Sequence, residues 1–284
     1  MAYKTGNVTN FNALLSVIAE VAQKVGWVID LQNTDELKLH NDELTCLFLK
    51  QNNNVFTYID EKGSESGVHT RSLGLNQRYL SYDLFCTSQY IHAVVQLENQ
   101  VFVHFGVGIL QKDFQFNGGQ YAFGTNAEDG TNYNSQAYGM SATSEKQNGP
   151  VVKIQNLDGI ETTFFKSTDN YHVPGESFLS LGRWMMRENA WSFHPENNLV
   201  EYSQSKFGNL LIPCANSIYL YRKNKLYTRI GIVPDRYECT VHEIVPRTIL
   251  TIAGEKWMIF PSLKYYKDLS KGSGAQGVAY RVID

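Results

Sequence analysis

The chain has 284 residues, 43% hydrophobic, 13% aromatic and 19% charged, with a formal net charge of −3. That length supplies a sizeable core, either as one large β-domain or as two smaller units. The charge balance lacks the clustered Lys and Arg that phosphate contacts need, so no nucleic-acid partner is expected, and no window approaches the roughly 20 apolar residues of a membrane span.

The start, MAYKTGNVTN, has no apolar core and does not read as a signal peptide. Phe11–Val25 is the one convincing helix: Phe11, Leu14, Leu15, Ile18, Ala22 and Val25 recur at spacings of three and four and form one stripe. Thr9 or Asn10 can cap its start, and Gly26 can take the left-handed conformation that ends it. Trp27–Ile29, Glu43–Lys50 and Val55–Ile59 read as strands, Lys62–Asn76 as a polar loop, and Arg78–Thr87 as a further strand.

Tyr90–Leu110, YIHAVVQLENQVFVHFGVGIL, reads as a hairpin turning at Glu98-Asn99. A two-residue turn puts His92, Val94, Val101, Val103 and Phe105 on one face. Ala93, Val95, Leu97, Phe102 and His104 then share the other. Both faces are largely apolar, so the hairpin is expected to be covered on both sides. A three-residue turn would instead bring His92 and His104 to one face as diagonal neighbours.

Gln111–Pro150 is rich in Gly, Asn, Ser and Thr, with Phe114, Phe116, Tyr121, Phe123, Tyr133 and Tyr138 interleaved. Connections beyond roughly 12–15 residues are uncommon in compact domains. The expectation is therefore a contact loop that orders against another subunit, its six aromatics forming an assembly interface. Beyond it, Val151–Ile154 and Thr162–Lys166 flank an Asp158-Gly159 turn, and Leu179–Trp191 is ambiguous between strand and helix. Leu210–Pro213, Ser217–Tyr221, Leu226–Val233, Thr248–Ile252, Trp257–Phe260 and Gly277–Ile283 complete the strands. Arg222–Lys225 and Ala253–Lys256 are turns, and Ser270–Gly274 is a loop. The fold class is thus mainly β, in sandwich or jelly-roll-like layers, with an N-terminal amphipathic helix. The expected division is 1–140, holding the helix, central hairpin and Gly/aromatic loop, and 141–284, a second β-rich portion possible within the same domain.

No catalytic or cofactor constellation emerges. The seven histidines form no HxH or HExxH pair, and GxSxG, GxxxxGK[ST] and GxGxxG are absent. Asp35-Glu36, Asp42-Glu43 and Glu128-Asp129 lie in polar stretches, although glycosidase acids can be distant in sequence. Cys46, Cys86, Cys214 and Cys239 have no CxxC spacing and read as reduced core cysteines. The expectation is no catalytic, cofactor-binding or metal residue, and no enzyme.

Three stretches carry a resemblance. Ala2, Tyr3, Thr5, Gly6 and Asn10 precede the helix and Gly26-Trp27. HFGVGI leads into GGQYAFG within Gln100–Thr125, and ILTIAGEKWMIFPSL and GVAYRVID close the chain. These resemble virion structural proteins of tailed bacteriophages, and the likeness is diffuse through Asn126–Tyr202. It implies a tail, neck or baseplate component made in the bacterial host cytoplasm and residing in the virion. Its implied partners are copies of itself, as a ring or trimer, and other virion proteins, with no membrane. Two rival readings remain open: a host-surface or glycan binder stacking sugars on Tyr121, Phe123, Tyr133 and Tyr138, and a tail-associated hydrolase.

Overall fold

A computed structural model describes residues 2–51, 54–59, 69–74, 78–124, 151–157, 160–166, 179–181, 214–222, 226–240, 244–261 and 276–283. Strand β1 (Ala2–Gly6) precedes helix α1 (Phe11–Lys24). The apolar stripe of α1 buries Phe11, Leu14, Leu15, Ile18 and Ala22, as its periodicity requires. The Asn10 side chain accepts from the Ala13 amide, and Gly26 stands at φ +98° just past the C-cap.

Strands β2 (Val28–Gln32), β3 (Glu36–His40), β4 (Thr45–Gln51), β5 (Asn54–Ile59) and β6 (His69–Gly74) form an antiparallel five-stranded meander. Two of these were not legible as strands. β3 has short alternation, ELKLH, and β6 lies within the stretch expected to be a loop, its Thr, Arg and Ser supporting a strand only because β5 is there to pair with.

The remaining strands are β7 (Tyr79–Cys86), β8 (Tyr90–Leu97), β9 (Val101–Ile109), β10 (Gln111–Lys112), β11 (Asn117–Gly124), β12 (Val151–Leu157), β13 (Ile160–Lys166), β14 (Leu179–Leu181), β15 (Cys214–Arg222), β16 (Leu226–Thr240), β17 (Thr248–Ile252), β18 (Glu255–Pro261) and β19 (Gln276–Val282). One seven-stranded sheet runs β1-β7-β8-β9-β11-β12-β13. The other runs β14-β15-β16-β19-β18-β17, with β10 paired to β16. Strands on both sides of Gly139–Pro150 therefore share both of these sheets. The protein is mainly β, with three antiparallel sheets and one N-terminal helix.

The β8–β9 hairpin is central. Its turn is a three-residue 3-10 segment, Glu98–Gln100, with Leu97 opposite Val101. That one extra residue reverses the faces expected from a two-residue turn. Val101, Val103 and Phe105 share a face with Ala93, Val95 and Leu97, while Phe102 and His104 share the other with His92 and Val94. The hairpin is covered on both sides. One face packs on α1, Trp27 and the five-stranded sheet through Leu37, Leu39, Phe48 and Val55. The other packs on β18 and β19 through Met258, Phe260, Val278 and Tyr280. Each such Val, Ile, Leu or Phe contributes about 1.5–3 kcal/mol through its burial.

The two glycines of HFGVGI have a steric reason. A Cβ on Gly106 would lie 2.7 Å from the Ile91 carbonyl oxygen and 2.9 Å from the Phe123 ring. One on Gly108 would lie 2.5 Å from the Tyr121 hydroxyl and 2.6 Å from Tyr90 Cβ. β11 pairs Tyr121 with Gly108 and Phe123 with Gly106, so rings from the neighbouring strand occupy the space the glycines leave.

Candidate functional site

The structure relocates the expected contact loop. Gln111–Gly124 is not an excursion: it supplies β10 and β11, each bonded into a sheet. Tyr121 and Phe123 are fully buried and Phe116 is 9% exposed, so these three belong to the chain's own core. Alternation along β11 brings Tyr121 and Phe123 beside Gly108 and Gly106, and Phe116, just before β11, lies near Gly119. The sequence reading took the preceding glycines as loop punctuation and missed this strand. Phe114, at 37% exposure, is the one of the four that reaches solvent. Tyr133 and Tyr138 lie outside the described residues, as do Asp158-Gly159, Leu210–Pro213, Ser270–Gly274 and most of Leu179–Trp191 and Arg222–Lys225. The four-ring sugar platform is thereby overturned for Tyr121 and Phe123.

A seam of polar groups joins the two larger sheets. Asp83, His92, His104 and Arg236 are all buried to zero exposure. His104 Nε2 donates to the Pro261 carbonyl at 2.8 Å, because a carbonyl only accepts; its Nδ1 then accepts from the Tyr280 hydroxyl at 3.0 Å. Arg236 Nε donates to the same Tyr280 oxygen at 3.4 Å, and its guanidinium lies 5.0 Å from the Phe123 ring centre. His92 Nε2 meets the Tyr121 hydroxyl at 2.6 Å, while its Nδ1 has no hydrogen-bond partner among the described residues. Burial, and then the Arg236 charge, pushes His104 down to about 3 and His92 well below its ordinary value. Both imidazoles are neutral at pH 7, core histidines rather than ligands.

At one end of the seam Arg247 enters from just before β17. Its Nε donates to Asp83 Oδ2 at 2.8 Å, its Nη1 to Gln96 Oε1 at 2.7 Å and its Nη2 to Ser81 Oγ at 2.6 Å. Tyr3 donates to the other Asp83 oxygen at 2.8 Å. One guanidinium thus fixes the start of β17 to β7 and β8. The sequence reading passed over Asp83, Arg236 and Arg247. A charge inside an otherwise apolar strand, as in YLSYDLFC, was the available signal.

Beyond this anchor lies an exposed apolar sheet edge. Among the described strands β17 pairs with β18 alone, and Val245 and Ile249 are 63% and 50% exposed. Among the described edge strands it is the one that combines length with absence of charge, TILTI. β1 carries Lys4, which pairs with Glu20 of α1 at 2.6 Å. β2 is interrupted by a register shift at Asp30, whose carboxylate meets His40 at 2.8 Å. β6 contains Arg71, β13 contains Glu161 and Lys166, and β14 has three residues. Charges, bulges and brevity are the devices that keep edges from pairing. β17 has none of them.

Cys46, Cys86 and Cys239 are buried, and burial raises the thiols of the first two well above the ordinary value. Among the described residues no helix is long and apolar enough to cross a membrane, and no group of three or more His, Cys, Asp or Glu is placed to hold a metal. No protein-family model matches the chain, and no curated protein matches it.

Proposed function

We propose that the chain is a non-enzymatic structural subunit of a tailed-phage virion, in the tail, neck or baseplate. It assembles through strand-edge contacts with copies of itself, in a ring or trimer, and with other virion proteins. The observation that carries the reading is the β17 edge: five uncharged residues with one side unpaired among the described residues, with Ile249 exposed within it and Val245 exposed just before it. Such an edge accepts a neighbouring strand through main-chain hydrogen bonds, with exposed side chains supplying selectivity. Arg247 holds it in place beforehand, which lowers the ordering cost of association. The phage assignment itself is supported by the resemblance, whose closing segment contains β17, β18 and β19.

Ile249→Lys combined with Thr251→Lys tests this, because both positions are exposed and a lysine edge resists pairing. The variant is expected to melt within about 0.5 kcal/mol of the native chain yet to stay monomeric in sedimentation and be excluded from reconstituted particles. Normal incorporation would remove β17 as the assembly edge.

A further inference from the structure

The amino end of α1 opens on a cleft of about 280 Å³ lined by Phe11, Asn12, Thr34, Asp35, Lys50 and Tyr79, among others. Its groups are unusually rich in donors. The Ala13 amide is taken by the Asn10 side chain and the Leu14 amide by the Asn10 carbonyl, whereas Phe11 and Asn12, the first two residues of the helix, have no intrahelical acceptor for their amides. No acidic side chain stands in the first turn to offset the helix's positive end. Tyr79, placed on the helix side by a register shift between Tyr79 and Ser81, is 3% exposed, and its buried hydroxyl has no hydrogen-bond partner among the described residues. Lys50 gives one of its three protons to Asp35 at 3.1 Å.

We propose that this cleft is a binding site for a single carboxylate group. Two helix amides and a buried phenol ask for an acceptor, the Lys50 ammonium has protons to spare beyond Asp35, and an unpaired buried hydroxyl is destabilising until it finds one. The helix terminus favours an anion there. Asp35, already in the cleft, sets the charge: a carboxylate adds one negative charge beside it, whereas a phosphate dianion adds two and is repelled more strongly. The carboxylate has two sources, a free small acid or an Asp or Glu side chain on another polypeptide.

Amide NMR of the full chain distinguishes these. Acetate is expected to move the Phe11 and Asn12 resonances along a saturating curve, and chloride at matched ionic strength is expected to leave them in place. Tyr79→Phe should weaken acetate about tenfold, the equivalent of one hydrogen bond to a charged group, and Lys50→Met should weaken it by a similar factor. In the absence of acetate Tyr79→Phe should melt no lower than the native chain, which separates lost binding from lost folding. N-acetylglutamate amide binding more tightly than acetate assigns the site to a polypeptide side chain, and the reverse order assigns it to a free acid. Linear shifts, equal shifts with chloride, tighter binding of phosphate, or undiminished binding in Tyr79→Phe each overturn the proposal. None of these outcomes bears on the β17 edge.

Discussion

On the helix side of the central sheet, β7, β8 and β9 present Leu84, Ile91, Val95, Val103 and Phe105 to Leu14, Leu15, Phe48 and Val55. On the opposite side the same three strands present Asp83, Phe85, His92, Phe102 and His104 to Arg236, Arg247, Phe260 and Tyr280. Apolar packing is non-directional, so the first contact rests mainly on shape complementarity, with a few hydrogen bonds added, among them Trp27 Nε1 to the Thr87 carbonyl and Asn41 Nδ2 to the Ser88 carbonyl, both at 2.7 Å. Hydrogen bonds and ring stacks are directional. The second contact fixes where β17, β18 and β19 sit to within a bond length, through Arg247 to Asp83 and His104 to the Pro261 carbonyl. That is the side on which the proposed assembly edge is mounted. A rigid mount for an edge and a deformable core for a buried helix are different requirements, and the two faces of one sheet meet them with different chemistry.

The largest effect should come from Arg247→Met. It leaves the Asp83 carboxylate buried with Tyr3 as its remaining donor, and removing one partner of a buried pair costs about 3–5 kcal/mol. Adding Asp83→Asn should restore part of this, because an amide carries no charge to strand; denaturant melts of the single and double variants give the comparison. On the dry face Leu15→Ala should cost about 2–5 kcal/mol through the cavity it opens, with no rescue from a polar second change. Gly108→Ala comes next. The added methyl meets Tyr90 Cβ, which cannot swing away as a ring tip can, and overpacking of this kind costs about 1–3 kcal/mol. A melt unchanged by that substitution would show that β8 and β9 do not set Tyr90 opposite Gly108 as described.

How far these two faces were legible differs for the same reason. α1, its Asn10 cap and the apolar content of the hairpin follow from local periodicity and local chemistry, so the sequence alone places them. The face assignment of the hairpin depended on one turn residue, Gln100, which adopts φ +60° and adds a third position to the turn. The polar seam depends on pairings such as His104 with Tyr280, 176 residues apart, and nothing local to either residue announces the other. Tyr121 and Phe123 look like loop residues because glycine-rich sequence marks a loop in isolation but marks a close aromatic packing site once Gly106 and Gly108 lie alongside. β17 reads as a strand in any context. Its being an edge follows from β18 pairing on its other side with β19, beyond a long intervening segment.

The smallest effect per step, and the one most specific to the polar face, is acid sensitivity. His92 and His104 bind protons in the folded chain only well below the ordinary value of 6.5, about 3 for His104, because burial and Arg236 both disfavour the imidazolium. Between those values the unfolded chain holds the extra protons. Their contribution to stability is therefore complete above about pH 6.5 and is lost as pH falls toward 3, at up to about 1.4 kcal/mol per pH unit for each histidine. Urea midpoints taken across that range should show the slope, and His104→Gln should reduce it by the share of one histidine, up to about 1.4 kcal/mol per pH unit. Leu15→Ala should shift the whole curve down without changing its slope, because the face it belongs to contributes no histidine. Equal slopes in the native chain and His104→Gln would mean that water reaches His104 and that the seam is open rather than sealed.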